Sequence, residues 1–254
     1  RPFTDWLKIN DPARIDQVID IAITPNRSDA LGVRGVARDL SAKGVGEFLE
    51  RNPAKISPKF ESPIDVILHK NVSLKDCPYF VGRYIRGTKN NSSPQWLVDR
   101  LESIGIRSIS SLVDLTNFLT IDSARPLHAF DADKLQGNLV VRKAISGEKI
   151  EALDGRIYEL DQSMTVIADD KRVQSIGGII GGMFSGCTED TKNVFIESAY
   201  FDPISTAMTG RKLGIITDAR YRFERGIDPS FTIPGLDYYT ELAIRTCGGD
   251  PSGL

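Results

Sequence analysis

The sequence has little of the chemistry on which most hydrolases and metal sites depend. It contains only two histidines, His69 and His128, and three widely separated cysteines without a CxxC pair. The GxSxG, HExxH and P-loop motifs are missing, which excludes the usual serine-hydrolase, zinc-hydrolase and ATP-binding sites. An odd number of separated cysteines also argues against a disulfide framework and a structural zinc site, and favours a reducing cytoplasmic environment.

Charge of one sign and long apolar runs are lacking as well. The 32 basic and 34 acidic residues leave a net charge of −2, so the chain has no strongly basic footprint for holding nucleic acid. Apolar runs are a few residues long, far short of the roughly 20 that cross a bilayer. With 41% apolar residues among 254, the chain can still bury a large core. Because it begins at Arg1 without an initiator methionine, we expect the natural protein to be longer.

The first 50 residues differ in pattern from the rest, and we predict a short helical segment there, followed by a β-rich domain over residues 51–254. Ser28 and Asp29 are typical helix caps, and Gly44 is a typical stop. A polar stretch at 47–58 is predicted to be a linker. Between caps and stop, apolar residues follow helical spacing at Val33, Val36, Ala37 and Leu40.

From residue 62 onward, strand and helix patterns alternate, which predicts an α+β fold with a β-rich centre and flanking helices. One helix should begin at Ser93-Pro94 and stop at Gly105, and a last helix should cover 234–246. Alternating or β-branched segments predict strands at 64–68, 79–86, 139–142, 164–168 and 193–198.

Two features could carry chemistry. Glu197 interrupts an apolar strand, and a buried carboxyl group needs a partner, of which a ligand is one candidate. The glycine cluster at 177–182 can bring backbone close to a ligand, although the residues alone favour a tight turn between strands. His128 is either functional or a satisfied core histidine, and Arg107 is either functional or an ordinary surface cation.

A series of motifs resembles the β subunit of bacterial phenylalanyl-tRNA synthetase. ITPNR is similar to a signature of its first, helical B1 domain, and the later motifs are similar to signatures of its B3/B4 editing domain. Their order is also the order in that family. The motifs are ITPNR at 23–27, VDLTN at 113–117, RPLHAFD at 125–131, VIAD at 166–169, GGIIGG at 177–182, NVFIE at 193–197 and TDARYRFERGIDP at 217–229.

The resemblance implies a function and a site. In that family the B3/B4 domain hydrolyses tyrosine that was wrongly attached to tRNA(Phe), and water attacks the aminoacyl ester. An ionised Glu197 would accept a hydrogen bond from the tyrosine hydroxyl, which phenylalanine lacks. The implied catalytic residues are His128, Gly181, Glu197 and Thr217, and the implied substrate-binding residues are Arg107, Pro126 and Ala219.

The resemblance also implies partners. They are the 3′ end of tRNA(Phe) and the α subunit of an (αβ)₂ synthetase, with no DNA or membrane partner. No metal and no cofactor are expected in this chain, because the whole enzyme uses ATP and magnesium elsewhere. Two alternatives stay open, namely a non-catalytic module that contacts tRNA and a deacylase that acts in trans. Four residues depart from the family pattern, namely Ala124, Arg125, Met183 and Arg220.

Overall fold

The computed structural model describes residues 18–51, 53–72 and 75–254, so the first 17 residues of the predicted N-terminal segment and residue 52 of the predicted linker lie outside it. Six α-helices are present in the described part of the chain. They are α1 (Val33–Ala42), α2 (Gln95–Ser103), α3 (Ser111–Ser123), α4 (Pro203–Leu213), α5 (Asp218–Phe223) and α6 (Thr232–Cys247).

Eleven strands in the described part form two sheets and a hairpin. The strands are β1 (Val66–Leu68), β2 (Tyr79–Arg86), β3 (His128–Asp131), β4 (Leu139–Lys143), β5 (Lys149–Glu151), β6 (Ile157–Glu159), β7 (Thr165–Ala168), β8 (Val173–Ile176), β9 (Ile180–Gly181), β10 (Val194–Tyr200) and β11 (Asp250–Pro251).

The first sheet has the order β11-β2-β10-β3, and all its pairs are antiparallel. Strand β10 is central and almost entirely buried because both faces are covered. Its Val194 and Ile196 join a core with residues of α2, α3 and α6. The alternate residues Phe195 and Ala199 join a second core on the opposite face. Glu197 therefore lies in register with apolar residues of this second face.

The second sheet has the order β1-β4-β7-β8-β9, with β1 parallel to β4 and the other pairs antiparallel. Strands β7 and β8 are buried throughout. The hairpin β5–β6 contributes Ile150 and Tyr158 to a third core, against Val166 and Ile176. The short turn after β8 brings the glycine cluster next to the first sheet. As a result, both sheets border the same cavity.

The predicted α+β class is confirmed, and so are the predicted strands, whose bounds agree to within two residues. The predicted last helix is α6, and the helix predicted after Pro94 is α2. Helices α3, α4 and α5 were not predicted, and neither were strands β3, β5, β6, β8, β9 and β11. The division into 1–50 and 51–254 stays a prediction. No helix in the described ranges combines the length and apolarity that a bilayer crossing requires.

The start of α1 differs from the prediction. Ser28–Ala30 forms a separate 3₁₀ turn, and the residue that precedes the helix is Gly32, without a side-chain cap. Asp29 instead accepts hydrogen bonds from Arg27, at 3.0 Å, and from Arg38. Of the apolar residues at helical spacing, Val33 and Leu40 are exposed. Gly44 does follow the helix end with a φ of +75°.

Candidate functional site

Glu197 and His128 lie directly opposite each other on neighbouring strands. Register pairs Glu197 of β10 with His128 of β3, and on its other side with Gly82 of β2. Because opposite residues of an antiparallel pair project from the same face of the sheet, the carboxyl and the imidazole share one surface. Both have a buried polar atom without a hydrogen-bond partner in the described structure, Oε2 of Glu197 and Nε2 of His128.

The Glu197 carboxyl is protonated more readily than an ordinary glutamic acid. Its residue is 6% exposed, and burial raises its pKa to about 8. At pH 7 a pKa of about 8 means that the protonated carboxyl predominates. The sequence predicted an ionised acceptor, whereas burial favours the neutral form. Desolvation is the cause, since the apolar surroundings disfavour the charged form.

The His128 imidazole packs closely against Gly181. A Cβ built on Gly181 would stand 2.2 Å from Cε1 of His128, so only glycine permits this contact. The other side of the ring meets Phe130 edge-on at a centroid distance of 4.4 Å. Burial lowers the pKa of His128 to about 4, which keeps the ring neutral at physiological pH. His128 is thus closely packed, but its Nε2 has no hydrogen-bond partner in the described structure.

Thr217 fixes the glycine turn to the start of α5. Its hydroxyl donates to the carbonyl oxygen of Ile179 at 2.7 Å and accepts from the backbone N–H of Arg220 at 3.1 Å. The second bond is the N-cap of α5. Gly178, at φ +70°, permits the turn that carries Ile179. Thr217 therefore holds two walls of the site together, and the glycine cluster is both a tight turn and a wall.

These elements enclose a cavity of about 520 Å³ between the two sheets, α3 and α5. Its size is in the range of small-molecule sites. Six of the seven residues predicted for the site lie in its wall. They are Pro126, His128, Gly181, Glu197, Thr217 and Ala219.

Arg107 is the exception among the predicted residues. It is exposed in the loop before α3 and does not belong to the cavity wall, although Ile109 two residues later does. Conversely, Asn117 of α3 lines the cavity and was not predicted. A signal was present, because Val113, Asn117 and Thr120 are spaced for one helix face. Without a predicted helix in that region, the spacing was not recognised.

Comparison with known protein families decides the relationship. The family model described as the B3/4 domain matches residues 76–248. This chain belongs to the B3/4 domain family. All six of the cavity residues predicted from sequence lie inside the matched range.

The relatives of this B3/4 chain agree with the resemblance of its motifs. It is 53% identical over 250 residues to the phenylalanine–tRNA ligase beta subunits of Ruegeria pomeroyi and Mesorhizobium japonicum. Both alignments cover 98% of this chain but 31% and 30% of the relatives, so the chain spans about a third of their length. A crystal structure of an N-terminal fragment of the phenylalanyl-tRNA synthetase beta-subunit from Pyrococcus horikoshii aligns with a TM-score of 0.45 at 20% identity, over 78% of this chain and 63% of that one.

The unusual cations of this B3/4 domain lie outside the cavity wall. Arg125 is fully buried, where it donates to the carbonyl oxygens of Ala199, at 2.9 Å, and Asp228. Burial lowers its pKa to about 10, so it remains charged at neutral pH. Arg220 donates to Glu224 at 3.0 Å. Both arginines are therefore occupied in holding the fold, and Met183 is exposed.

Nucleophilic side chains in the cavity wall of the B3/4 domain are occupied or inactive. The Cys187 thiol contacts the carbonyl oxygen of Ala129 at 3.5 Å, and burial raises its pKa to about 12. Ser175 donates to the Ile180 carbonyl oxygen at 3.2 Å. A thiol with such a high pKa has almost no thiolate at neutral pH. The described wall thus offers no activated protein nucleophile.

Proposed function

We propose that this chain is the editing module of a phenylalanine–tRNA ligase β subunit and that it hydrolyses tyrosine from mischarged tRNA(Phe). The observation that carries the proposal is the buried, unpartnered Oε2 of Glu197 in the wall of a cavity that five other predicted residues share. An unpaired buried acceptor is costly, at roughly 1–3 kcal/mol, and a ligand that pairs with it recovers this cost.

Tyrosine is the amino acid that such a wall selects. The phenol O–H can donate to Glu197, whereas phenylalanine would leave the carboxyl unpaired. A bond between neutral groups is worth about 0.5–1.5 kcal/mol and one to an ionised group about 1.5–3 kcal/mol, which together span roughly 2- to 150-fold in binding. Pro126 and Ala219 would form the sides of the ring slot.

Water is the proposed nucleophile. The wall has no activated thiol or hydroxyl, and an ester can be hydrolysed by a positioned water with donors near the developing oxyanion. With a pKa of about 4, His128 is a weak base at neutral pH. Its open Nε2 is better suited to hold the ester or the terminal adenosine by a hydrogen bond. Arg107, outside the wall, would contact a phosphate.

The whole ligase supplies the setting for this reaction. We propose tRNA(Phe) as the RNA partner and an α subunit in an (αβ)₂ assembly as the protein partner, acting in the cytoplasm. Phenylalanine activation with ATP and magnesium would take place elsewhere in that assembly. The similarity to ligase β subunits over 98% of the chain supports this placement.

The test compares hydrolysis of tyrosyl-tRNA(Phe) and phenylalanyl-tRNA(Phe) by the full-length ligase. Glu197→Ala and His128→Ala should each slow tyrosyl-ester hydrolysis by about tenfold or more, which corresponds to roughly 1.4 kcal/mol, without affecting aminoacylation. Glu197→Gln keeps a neutral acceptor and should lose less. The matched control is Glu189→Gln, at an exposed glutamate outside the cavity.

Unchanged hydrolysis in both alanine variants would refute the proposal. A wild-type ligase that binds tyrosine in this cavity but hydrolyses neither ester would instead favour the non-catalytic module. Because aminoacylation is measured in the same preparations, a general loss of folding is separated from a loss of editing.

A further inference from the structure

Two further cavities adjoin α3 on the side away from Glu197. Their volumes are about 320 and 400 Å³, and they share wall residues, so they form one continuous groove. We call it the arginine groove. The shared residues are Arg51, Asp122 and Tyr238, and the larger cavity adds Trp96, Arg100 and Arg245.

The larger cavity concentrates positive charge. Arg51, Arg100 and Arg245 are exposed, and within residues 18–51, 53–72 and 75–254 none of them forms an ion pair. Asp122 is the one carboxylate among the described residues of this wall. The chain as a whole carries a net charge of −2. The three guanidinium groups without an ion pair are therefore a local concentration of positive charge that the net charge of the chain does not predict.

Aromatic groups accompany these cations. Arg51 lies over the Tyr238 ring at 5.0 Å from its centroid. Trp96 is 39% exposed and meets Phe118 edge-on at 5.4 Å. Tyr238 is 4% exposed, and its hydroxyl is buried without a partner in the described structure. A buried hydroxyl without a partner is uncommon in folded proteins, so it points to a ligand in the groove.

We propose that the arginine groove binds the phosphodiester backbone of single-stranded RNA, with one base stacked on Trp96. Guanidinium groups pair with phosphate oxygens through two hydrogen bonds at once, and an exposed aromatic face stacks on any base. An acidic peptide would match the charge of the groove, but it would not explain the exposed indole of Trp96. The identification of this RNA as the tRNA substrate rests on the proposed function.

The groove lies close to the editing cavity. Asn117 faces that cavity, whereas Phe118 and Asp122 of the same helix face the groove. The two sites are thus separated by about the thickness of one helix, roughly 10 Å. A strand that occupied both sites would have to pass around α3, because the cavity and the groove lie on opposite faces of this helix.

The test measures binding of uncharged tRNA(Phe) to the full-length ligase over a series of KCl concentrations. For Arg100→Gln combined with Arg245→Gln, affinity should fall and the slope of log K against log salt should become shallower by about 1.4, since each lost contact to a single strand contributes about 0.7. The control is Lys171→Gln combined with Arg211→Gln, which removes the same charge at exposed positions outside the groove. Its slope should equal that of the wild type.

A second readout is the part of the tryptophan fluorescence that Trp96→Phe removes, since the chain also contains Trp6. A five-nucleotide single-stranded RNA should quench this part in the wild type and much less in the double arginine variant. Equal salt slopes in both double variants would overturn the inference. So would defective subunit assembly with an unchanged slope, because the groove would then hold protein.

This outcome is separable from that of the proposed function, because binding of uncharged tRNA requires no hydrolysis. A shallower slope in a ligase that hydrolyses neither ester would reject editing and keep the groove. Normal tyrosyl-ester hydrolysis with equal slopes would reject the groove and keep editing.

Discussion

Replacing Glu197 with glutamine should make the stability of this chain less dependent on pH. The carboxyl is 6% exposed, and its pKa of about 8 in the folded protein compares with an ordinary value of 4.5. Between these two values the folded state keeps a proton that the unfolded state has lost. Folding therefore binds a proton, and stability must fall as the pH rises through this window.

The magnitude follows from the two pKa values. Each pH unit inside the window costs the wild type roughly 1.4 kcal/mol, so between pH 5.5 and 7.5 it should lose roughly 2–3 kcal/mol relative to Glu197→Gln. Well below pH 4.5 and well above pH 8 the difference between the two proteins should be constant. Glutamine cannot titrate, so any change in its own packing adds only an offset that is independent of pH.

Urea unfolding of the wild type and the variant at several pH values measures this difference. Glu189→Gln, at an exposed position, should follow the wild-type curve. A gap between wild type and Glu197→Gln that stays the same from pH 5.5 to 7.5 would show that the carboxyl is ionised throughout. The argument from burial would then be refuted.

Two further substitutions test the geometry. Gly181→Ala places a Cβ 2.2 Å from Cε1 of His128, so the His128 ring must move. Hydrolysis of tyrosyl-tRNA(Phe) should then fall by about tenfold or more, while aminoacylation is retained. Equal hydrolysis rates in the variant and the wild type would contradict this packing. Ala124, the residue after α3, has a φ of 54°, which costs about 1–2 kcal/mol for a residue with a Cβ. Glycine loses about 0.5–1 kcal/mol more in chain entropy, so Ala124→Gly should stabilise the chain by up to about 1.5 kcal/mol in urea unfolding, and a loss of stability would disagree.

Local sequence predicted five of the eleven described strands, and in these the pattern reflects burial directly. Strand β10 begins with three β-branched or aromatic residues before its single carboxyl, and the structure buries nearly all of it. Helix α2 follows the rule of proline at the start and glycine beyond the end. In both cases the residues that define the element also define its packing.

Helix α3 was not predicted because it has no solvent-facing stripe. Leu112 and Leu115 enter the core, whereas Val113 and Asn117 face the cavity. A helix with apolar residues on one side and a ligand cavity on the other does not show the simple amphipathic period. The spacing of Val113, Asn117 and Thr120 on one helix face is a local signal for the cavity role of Asn117, but it has this meaning only once the helix itself is recognised.

The charge state of the site is a further property that cannot be predicted from any single segment of the sequence. Motif order placed His128 and Glu197 in one site, but their protonation depends on how completely two sheets exclude water. Burial raises the pKa of Glu197 and lowers the pKa of His128, so both groups are mainly neutral in the empty cavity at pH 7. A ring can then enter without displacing the hydration of an ion. In the proposed function, the apolar slot would accept both aromatic rings, so selection between them would depend on whether the ring brings a partner for the Glu197 carboxyl.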